Sequence, residues 1–113
     1  MIPPPLDISG CSKLKRIKFG VGCDIIRWVI TMLQAPKPRS LRQITIYSYG
    51  MPYHPTRKTV EGWLEIDRLL AGLWTSHSVV PKITSGDSLR TLAPRLLPVL
   101  TGRGVVCEDE YKI

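Results

Sequence analysis

One short apolar pattern occurs twice in this chain, and the two copies are 27 residues apart. The copies are Leu14-x-x-Ile17-x-Phe19 and Leu41-x-x-Ile44-x-Ile46. An apolar stretch with helical spacing follows each copy. A strand, a turn and a covering helix that recur roughly every 20–29 residues are typical of stacked repeats, because one unit cannot bury its own apolar face. The pattern therefore predicts two neighbouring strands whose apolar side chains occupy equivalent positions in one core.

Strands and helices alternate along the rest of the chain. The spacing of apolar residues predicts strands at 13–19, 41–49, 79–84 and 105–107, and helices at 25–35, 59–73 and 87–100. Asp24, Thr59 and either Asp87 or Ser88 are the expected helix N-caps. Proline removes a backbone donor, so Pro94 and Pro98 are expected to kink or shorten the third helix, while Pro81 suggests an irregular or edge position in the third strand.

The order β-α-β-α-β-α-β predicts an α/β fold with a parallel sheet and right-handed crossovers. The repeated pattern favours a short leucine-rich-repeat-like solenoid, with helices mainly on one face. A small doubly wound sheet, with helices on both faces, is the alternative. We expect a flexible Pro-rich segment at 1–12, a single α/β repeat domain at 13–107 and an acidic tail at 108–113.

The charge of the chain is unevenly distributed. The net charge is +7; residues 1–58 hold ten Lys/Arg and two carboxylates (+8), and residues 59–113 hold six Lys/Arg and seven carboxylates (−1). A basic half can attract acidic proteins, nucleic acid or acidic membranes. No apolar run approaches the roughly 18 residues that a membrane span requires, so we expect no membrane partner.

The cysteines and the remaining motifs favour a reduced, non-enzymatic protein. Three widely spaced cysteines favour free thiols and an intracellular location (cytoplasmic or nuclear) over a disulfide framework. His54 and His77 are 23 residues apart and no cysteine pair has zinc-site spacing, so no metal is expected. The sequence also contains no G-x-S-x-G elbow and no phosphate-binding loop. We therefore expect no cofactor and no catalytic residue.

The side chains that alternate with the buried strand residues form the predicted binding surface. Its members are Arg16, Lys18, Gln43, Thr45, Tyr47 and Lys82, with Tyr49 and Thr84 as possible additions. Cations beside tyrosines suit an acidic protein segment, through charge-assisted hydrogen bonds and aromatic contact. They also suit a nucleic-acid backbone with bases stacked on the rings.

Three stretches of the chain resemble a known family when they are taken in order. They are Leu41-Arg42-Gln43-Ile44-Thr45-Ile46, Trp63-x-x-x-Asp67-x-Leu69-Leu70 and Leu96-Leu97-Pro98-x-Leu100-x-x-Arg103-Gly104-Val105-Val106. Together they resemble the carboxy-terminal part of F-box-like, leucine-rich-repeat proteins that are abundant in mushroom-forming fungi. The resemblance covers roughly residues 14–107. It implies a solenoid that recognises substrates for ubiquitin ligases, although the sequence contains no segment like the F-box itself.

The sequence therefore leads to one principal functional hypothesis and two alternatives. The principal hypothesis is a non-enzymatic protein-recognition module that binds a protein partner, and an acidic protein is the candidate partner. The alternatives are a weak nucleic-acid-binding domain and a small doubly wound α/β enzyme. The sequence does not define an oligomeric state.

Overall fold

The computed structural model describes residues 10–22, 25–48, 52–105 and 107–108 of the chain. Within these residues, strands and helices alternate as the sequence predicts. The elements are β1 (Arg16–Gly20), α1 (Ile26–Gln34), β2 (Gln43–Ser48), α2 (Arg57–His77), β3 (Val80–Ser85), α3 (Asp87–Leu96), α4 (Pro98–Gly102) and β4 (Cys107–Glu108). The predicted α/β class is confirmed, with one difference: the third predicted helix is two helices.

The four described strands form one parallel sheet in the order β1-β2-β3-β4. Ile17 pairs with Ile44 and Phe19 pairs with Ile46, so the 27-residue spacing of the repeated pattern is also the register of β1 on β2. The prediction that these two segments lie side by side is confirmed. A doubly wound sheet needs a reversal in strand order, and the described strands show none.

Among the described residues, the helices cover one face of the sheet, and most side chains of the opposite, open face are exposed or partly exposed. In β2, Ile44 and Ile46 are fully buried, whereas Tyr47 between Ile46 and Ser48 is exposed. Right-handed crossovers between sequential parallel strands bring the connecting helices to the same face. Accordingly, α1 packs on α2, and α2 packs on both α3 and α4.

The core lies between this covered face and the helices. Its largest fully buried side chains are Trp63, Met32, Leu41, Ile44, Ile46, Ile66, Leu70, Ile83, Leu89, Leu96, Leu97 and Leu100. Leu14 and Ile17 are partly buried and pack against this core from the β1 side. The predicted apolar stripe of the second helix is therefore in the core, except for Leu73, which is only partly buried.

The helices begin and end at different residues from those predicted, and their N-caps differ as well. Thr56, and not Thr59, is the N-cap of α2: its hydroxyl accepts a hydrogen bond from the backbone N–H of Thr59, at 3.3 Å. At α3 the N-cap is Gly86, and Asp87 is already in the first turn. The predicted cap Asp24 lies outside the described residues. The third predicted helix breaks at Leu97, because Pro98 starts a new helix there.

Pro81 is accommodated inside a strand that has neighbours on both sides. The backbone N–H of Val80 donates to the carbonyl oxygen of Arg42 at 2.9 Å, so the even-numbered amides of β3 face β2. Amides of odd-numbered residues, including the nitrogen of Pro81, therefore face the side of β4. However, β4 pairs only with Ile83 and Thr84, so the missing donor of Pro81 falls where β4 does not reach. The predicted irregular position is thus a strand segment that is paired on one side only among the described residues.

No helix in the described ranges combines the length and apolar character needed to cross a membrane.

Candidate functional site: the outer sheet face

The open face of the sheet carries the candidate site. We call it the outer sheet face, and its residues are Arg16, Lys18, Gly20, Gln43, Thr45, Tyr47, Val80, Lys82, Thr84 and Glu108. They alternate along the strands with residues that face the helices. All six residues predicted for the binding surface, from Arg16 to Lys82, lie on this face.

The strand register arranges these residues in three rows across the sheet. Lys18, Thr45 and Lys82 form the central row, because Lys18 pairs with Thr45 and Thr45 pairs with Lys82. One flanking row is Arg16, Gln43 and Val80; the other is Gly20, Tyr47, Thr84 and Glu108. Neighbouring strands are about 4.8 Å apart, so the two lysines of the central row are separated by about two strand spacings.

Tyr47 lies across the glycine of the neighbouring strand. A Cβ atom at Gly20 would be 2.6 Å from both Cζ and Oη of Tyr47, so any side chain at this position would displace the ring. The absence of a side chain at Gly20 therefore allows the ring to lie over β1. The ammonium of Lys18 is 4.8 Å from the centre of this ring, within cation–π range. This contact holds one cation and one aromatic ring together on the outer sheet face.

Lys82 has an acidic neighbour on the last strand. Its Nζ is 3.6 Å from Oε2 of Glu108, and both side chains are about half exposed to solvent. An exposed pair of this kind contributes about 0–1 kcal/mol to stability, so it can be exchanged for another partner at little cost. Glu108, assigned from the sequence to an acidic tail, is instead part of β4 and of this face.

Thr84 is the least accessible member of the face. Its side chain is buried, and its Oγ1 has no hydrogen-bond partner among the described residues. Thr84 therefore offers little surface to a ligand. Partly exposed Thr45, between the two lysines, and exposed Val80, on the strand of Lys82, provide the small and apolar contact area of the face. Tyr49, the other suggested addition, lies outside the described residues.

Three members of the outer sheet face were not predicted from the sequence. Val80 precedes Lys82 by two residues, so the alternation of side chains along a strand already placed it on the same face. Gly20 follows Lys18 by two residues in the same way, although it lies one residue beyond the predicted strand. Glu108 could not be assigned without the register of β4 on β3, which joins Thr84 and Glu108 across 24 positions.

In the ranges that the structure describes, no three His, Cys, Asp or Glu side chains are grouped to hold a metal ion. Cys107 is a buried free thiol; burial raises its pKa, and the Ser85 hydroxyl and the charge of Arg90 partly oppose this rise. Such a thiol is a weak nucleophile, which fits a packing role.

Comparison of the chain with protein-family models, with curated proteins and with solved structures finds no match.

Proposed function

We propose that this chain is a short leucine-rich-repeat-like recognition module whose outer sheet face binds an acidic, extended protein segment. The observation that carries the proposal is the row of Lys18, Thr45 and Lys82 across three parallel strands, with Tyr47 held beside Lys18. The row supplies two separated cations, and the ring supplies apolar contact area between polar groups.

The charge of the face supports an acidic ligand. Its cations are Arg16, Lys18 and Lys82, whereas Glu108 is the one carboxylate among its described residues. Carboxylates of an incoming segment can form charge-assisted hydrogen bonds with these cations. At Lys82 such a carboxylate would displace Glu108 from an exposed and therefore weak ion pair.

The sequential strand order supports the repeat architecture. In repeat proteins each unit contacts its neighbours only, and the stacked units create an extended binding surface. Here each described strand pairs with its neighbours in the chain, and the two copies of the repeated pattern are in register. The F-box-like proteins that the chain resembles use such a region to recognise substrates, and we propose the same kind of role inside the cell. The free thiols of Cys11 and Cys107 suit that location.

Nucleic acid is a less favoured ligand because the basic residues of the first half are dispersed. Only Arg16 and Lys18 of this half lie on the outer sheet face. Arg27 is exposed on α1, and Arg57 and Lys58 begin α2, so their charges are spread over other surfaces. A nucleic-acid footprint usually concentrates its cations in one patch or stripe.

The proposal can be tested by fluorescence anisotropy with a labelled peptide of ten glutamates as the probe. Lys18→Gln and Lys82→Gln are each expected to raise the Kd by about three- to tenfold, the size of one partly exposed charge contact. Glu108→Gln is expected to lower the Kd, because it frees Lys82. Arg95→Gln, which removes an exposed cation of α3, is the matched control.

A labelled oligothymidylate of the same length distinguishes the two classes of ligand. Tighter binding of the oligonucleotide, with a Kd that rises steeply with salt, would replace the proposal by nucleic-acid binding. Equal effects of Arg95→Gln and Lys18→Gln on peptide binding would show that only net charge matters, and would refute the outer sheet face as the site.

A further inference from the structure

A cavity of about 450 Å³ lies at the amino-terminal edge of the sheet, away from the outer sheet face. It is lined by the ends of α1 and α2, by the loop after α1 and by the residues that lead into β2 and β3. Its volume is within the range of small-molecule sites, which is about 300–1,000 Å³. None of its lining residues belongs to the outer sheet face, so it is a separate site.

The inner wall of this cavity is apolar. Leu33, Leu41 and Val79 line it and are themselves almost completely buried, so the cavity reaches the edge of the core. Leu73 of α2 adds a fourth apolar side chain. These residues come from four parts of the chain, and they fit the hydrocarbon portion of a ligand.

The loop after α1 offers few backbone donors. Pro36 and Pro38 both line the cavity, and neither has an N–H group. Their rings also restrict the backbone, so this part of the wall is largely formed before a ligand binds. Donors for a polar ligand group must therefore come mainly from side chains.

All ionisable side chains that line the cavity are basic. They are Lys37, Arg39 and His77. Lys37 Nζ donates to the carbonyl oxygens of Leu33 and Ala35, which leaves one of its three donors for a ligand. The side chains of Arg39 and His77 are exposed and have no hydrogen-bond or ion-pair partner among the described residues.

We propose that this cavity binds a small monocarboxylate with an apolar body. The hydrocarbon portion contacts Leu33, Leu41 and Val79, and the carboxylate is bound by Lys37, Arg39 and His77. A single negative charge is favoured over a dianion because the carbonyl oxygens of Leu33 and Ala35 also face Lys37. Burial lowers the pKa of Lys37, and a carboxylate beside it would stabilise the ammonium form.

Octanoate is the probe that combines both features, and it is titrated into the full chain labelled with ¹⁵N. Amide shifts are expected at 33–41 and 73–79. Octanol retains the eight-carbon alkyl group without the charge, acetate retains the carboxylate without a long alkyl group, and octylamine has the opposite charge. Each of the three is expected to bind the protein at least about tenfold more weakly than octanoate does. Octyl phosphate tests the dianion, and tighter binding of this probe would overturn the choice of a monocarboxylate.

The double variant Arg39→Gln/His77→Gln tests the basic entrance without altering the buried wall. The Kd for octanoate is expected to rise by about tenfold, whereas Arg27→Gln, an exposed cation of α1 outside the cavity, should leave it unchanged. Equal affinity for octanol and octanoate, an unchanged Kd in the double variant, or amide shifts confined to other regions would each overturn the proposal. Glutamate-peptide binding to the outer sheet face is expected to continue with octanoate bound.

Discussion

The carboxylate of Asp67 accepts a hydrogen bond from the backbone N–H of Leu100, at 2.9 Å from Oδ1, across 33 positions of the chain. Its other oxygen accepts from the N–H of Val99 at 3.1 Å. Asp67 is almost completely buried on α2, and it satisfies the first amides of α4. A side chain of one helix thus caps another helix, which fixes α4 against α2.

Replacement of Asp67 should therefore strongly destabilise the fold. Asp67→Ala leaves the buried N–H of Leu100 and the partly buried N–H of Val99 without acceptors, and it is expected to lower the free energy of unfolding by about 2–4 kcal/mol. Asp67→Asn retains one acceptor oxygen and should lower it less. Urea denaturation measures both, with exposed Asp87→Ala as the control. A loss at Asp67 no larger than that at Asp87 would contradict the capping role.

Two glycines of α2 should respond oppositely to the same substitution. A Cβ at Gly62 would be 2.6 Å from Cδ1 of buried Ile26 on α1, whereas a Cβ at Gly72 meets nothing within 4 Å. We expect Gly62→Ala to lower the unfolding free energy by about 1–3 kcal/mol through overpacking. Gly72→Ala should raise it by about 0.5–1 kcal/mol, because alanine favours a helix. Thermal unfolding of the two variants gives the comparison, and a stabilised Gly62→Ala would show that α1 and α2 are not in close contact there.

Gly20→Ala should affect binding more than stability. The new methyl group displaces the far end of the Tyr47 side chain, which is partly exposed to solvent. The change in unfolding free energy is expected to stay below about 1 kcal/mol. Affinity for the glutamate peptide should fall in the same direction as in Tyr47→Ala, as measured by anisotropy. Gly22→Ala, where a Cβ meets nothing within 4 Å, is the control and should bind normally.

The Cys107 thiol should react slowly with thiol reagents and should destabilise the fold at alkaline pH. Burial raises its pKa above the ordinary 9.0, so the folded chain retains this proton over a range in which the unfolded chain has lost it. Stability from this group is therefore present below pH 9.0 and decreases as the pH rises through the folded-state pKa.

The test compares the variant Cys11→Ser/Cys23→Ser, which retains only Cys107, with the same variant carrying Cys107→Ala in addition. Urea unfolding of the first variant should lose more stability between pH 8 and pH 10 than that of the second. Rapid labelling of Cys107 in the folded protein, at a rate comparable to exposed Cys11 in the native chain, would contradict its burial.

Periodicity in the sequence predicted what depends on local alternation. The buried positions of β2 and the six side chains on the outer sheet face follow from a period of two, and Ile44 and Tyr47 are on opposite faces as that period requires. The 27-residue spacing even predicted which residues of β1 and β2 would pair. These features need no knowledge of distant parts of the chain.

Features that depend on distant contacts were not predictable in this way. The role of Asp67 depends on Val99 and Leu100, and the position of Glu108 on the outer sheet face depends on its pairing with Thr84. Sequence periodicity contains no signal for tertiary hydrogen bonds and pairings of this kind. The length of α2 exceeded the prediction for a different, local reason: Thr56 caps it earlier, and Ser78, with φ of 57°, ends it later.

The position of Pro81 has a consequence for the behaviour of the protein at high concentration. Before β4 begins, the side of β3 at Pro81 has no strand partner among the described residues, and an unpaired strand edge can add a strand from another molecule. Proline interrupts the donors along that stretch, so an intruding strand would find an incomplete ladder and gain little from adding to it. We therefore expect this stretch of β3 to be a poor template for a strand from another molecule, the more so because the Pro81 side chain is itself buried.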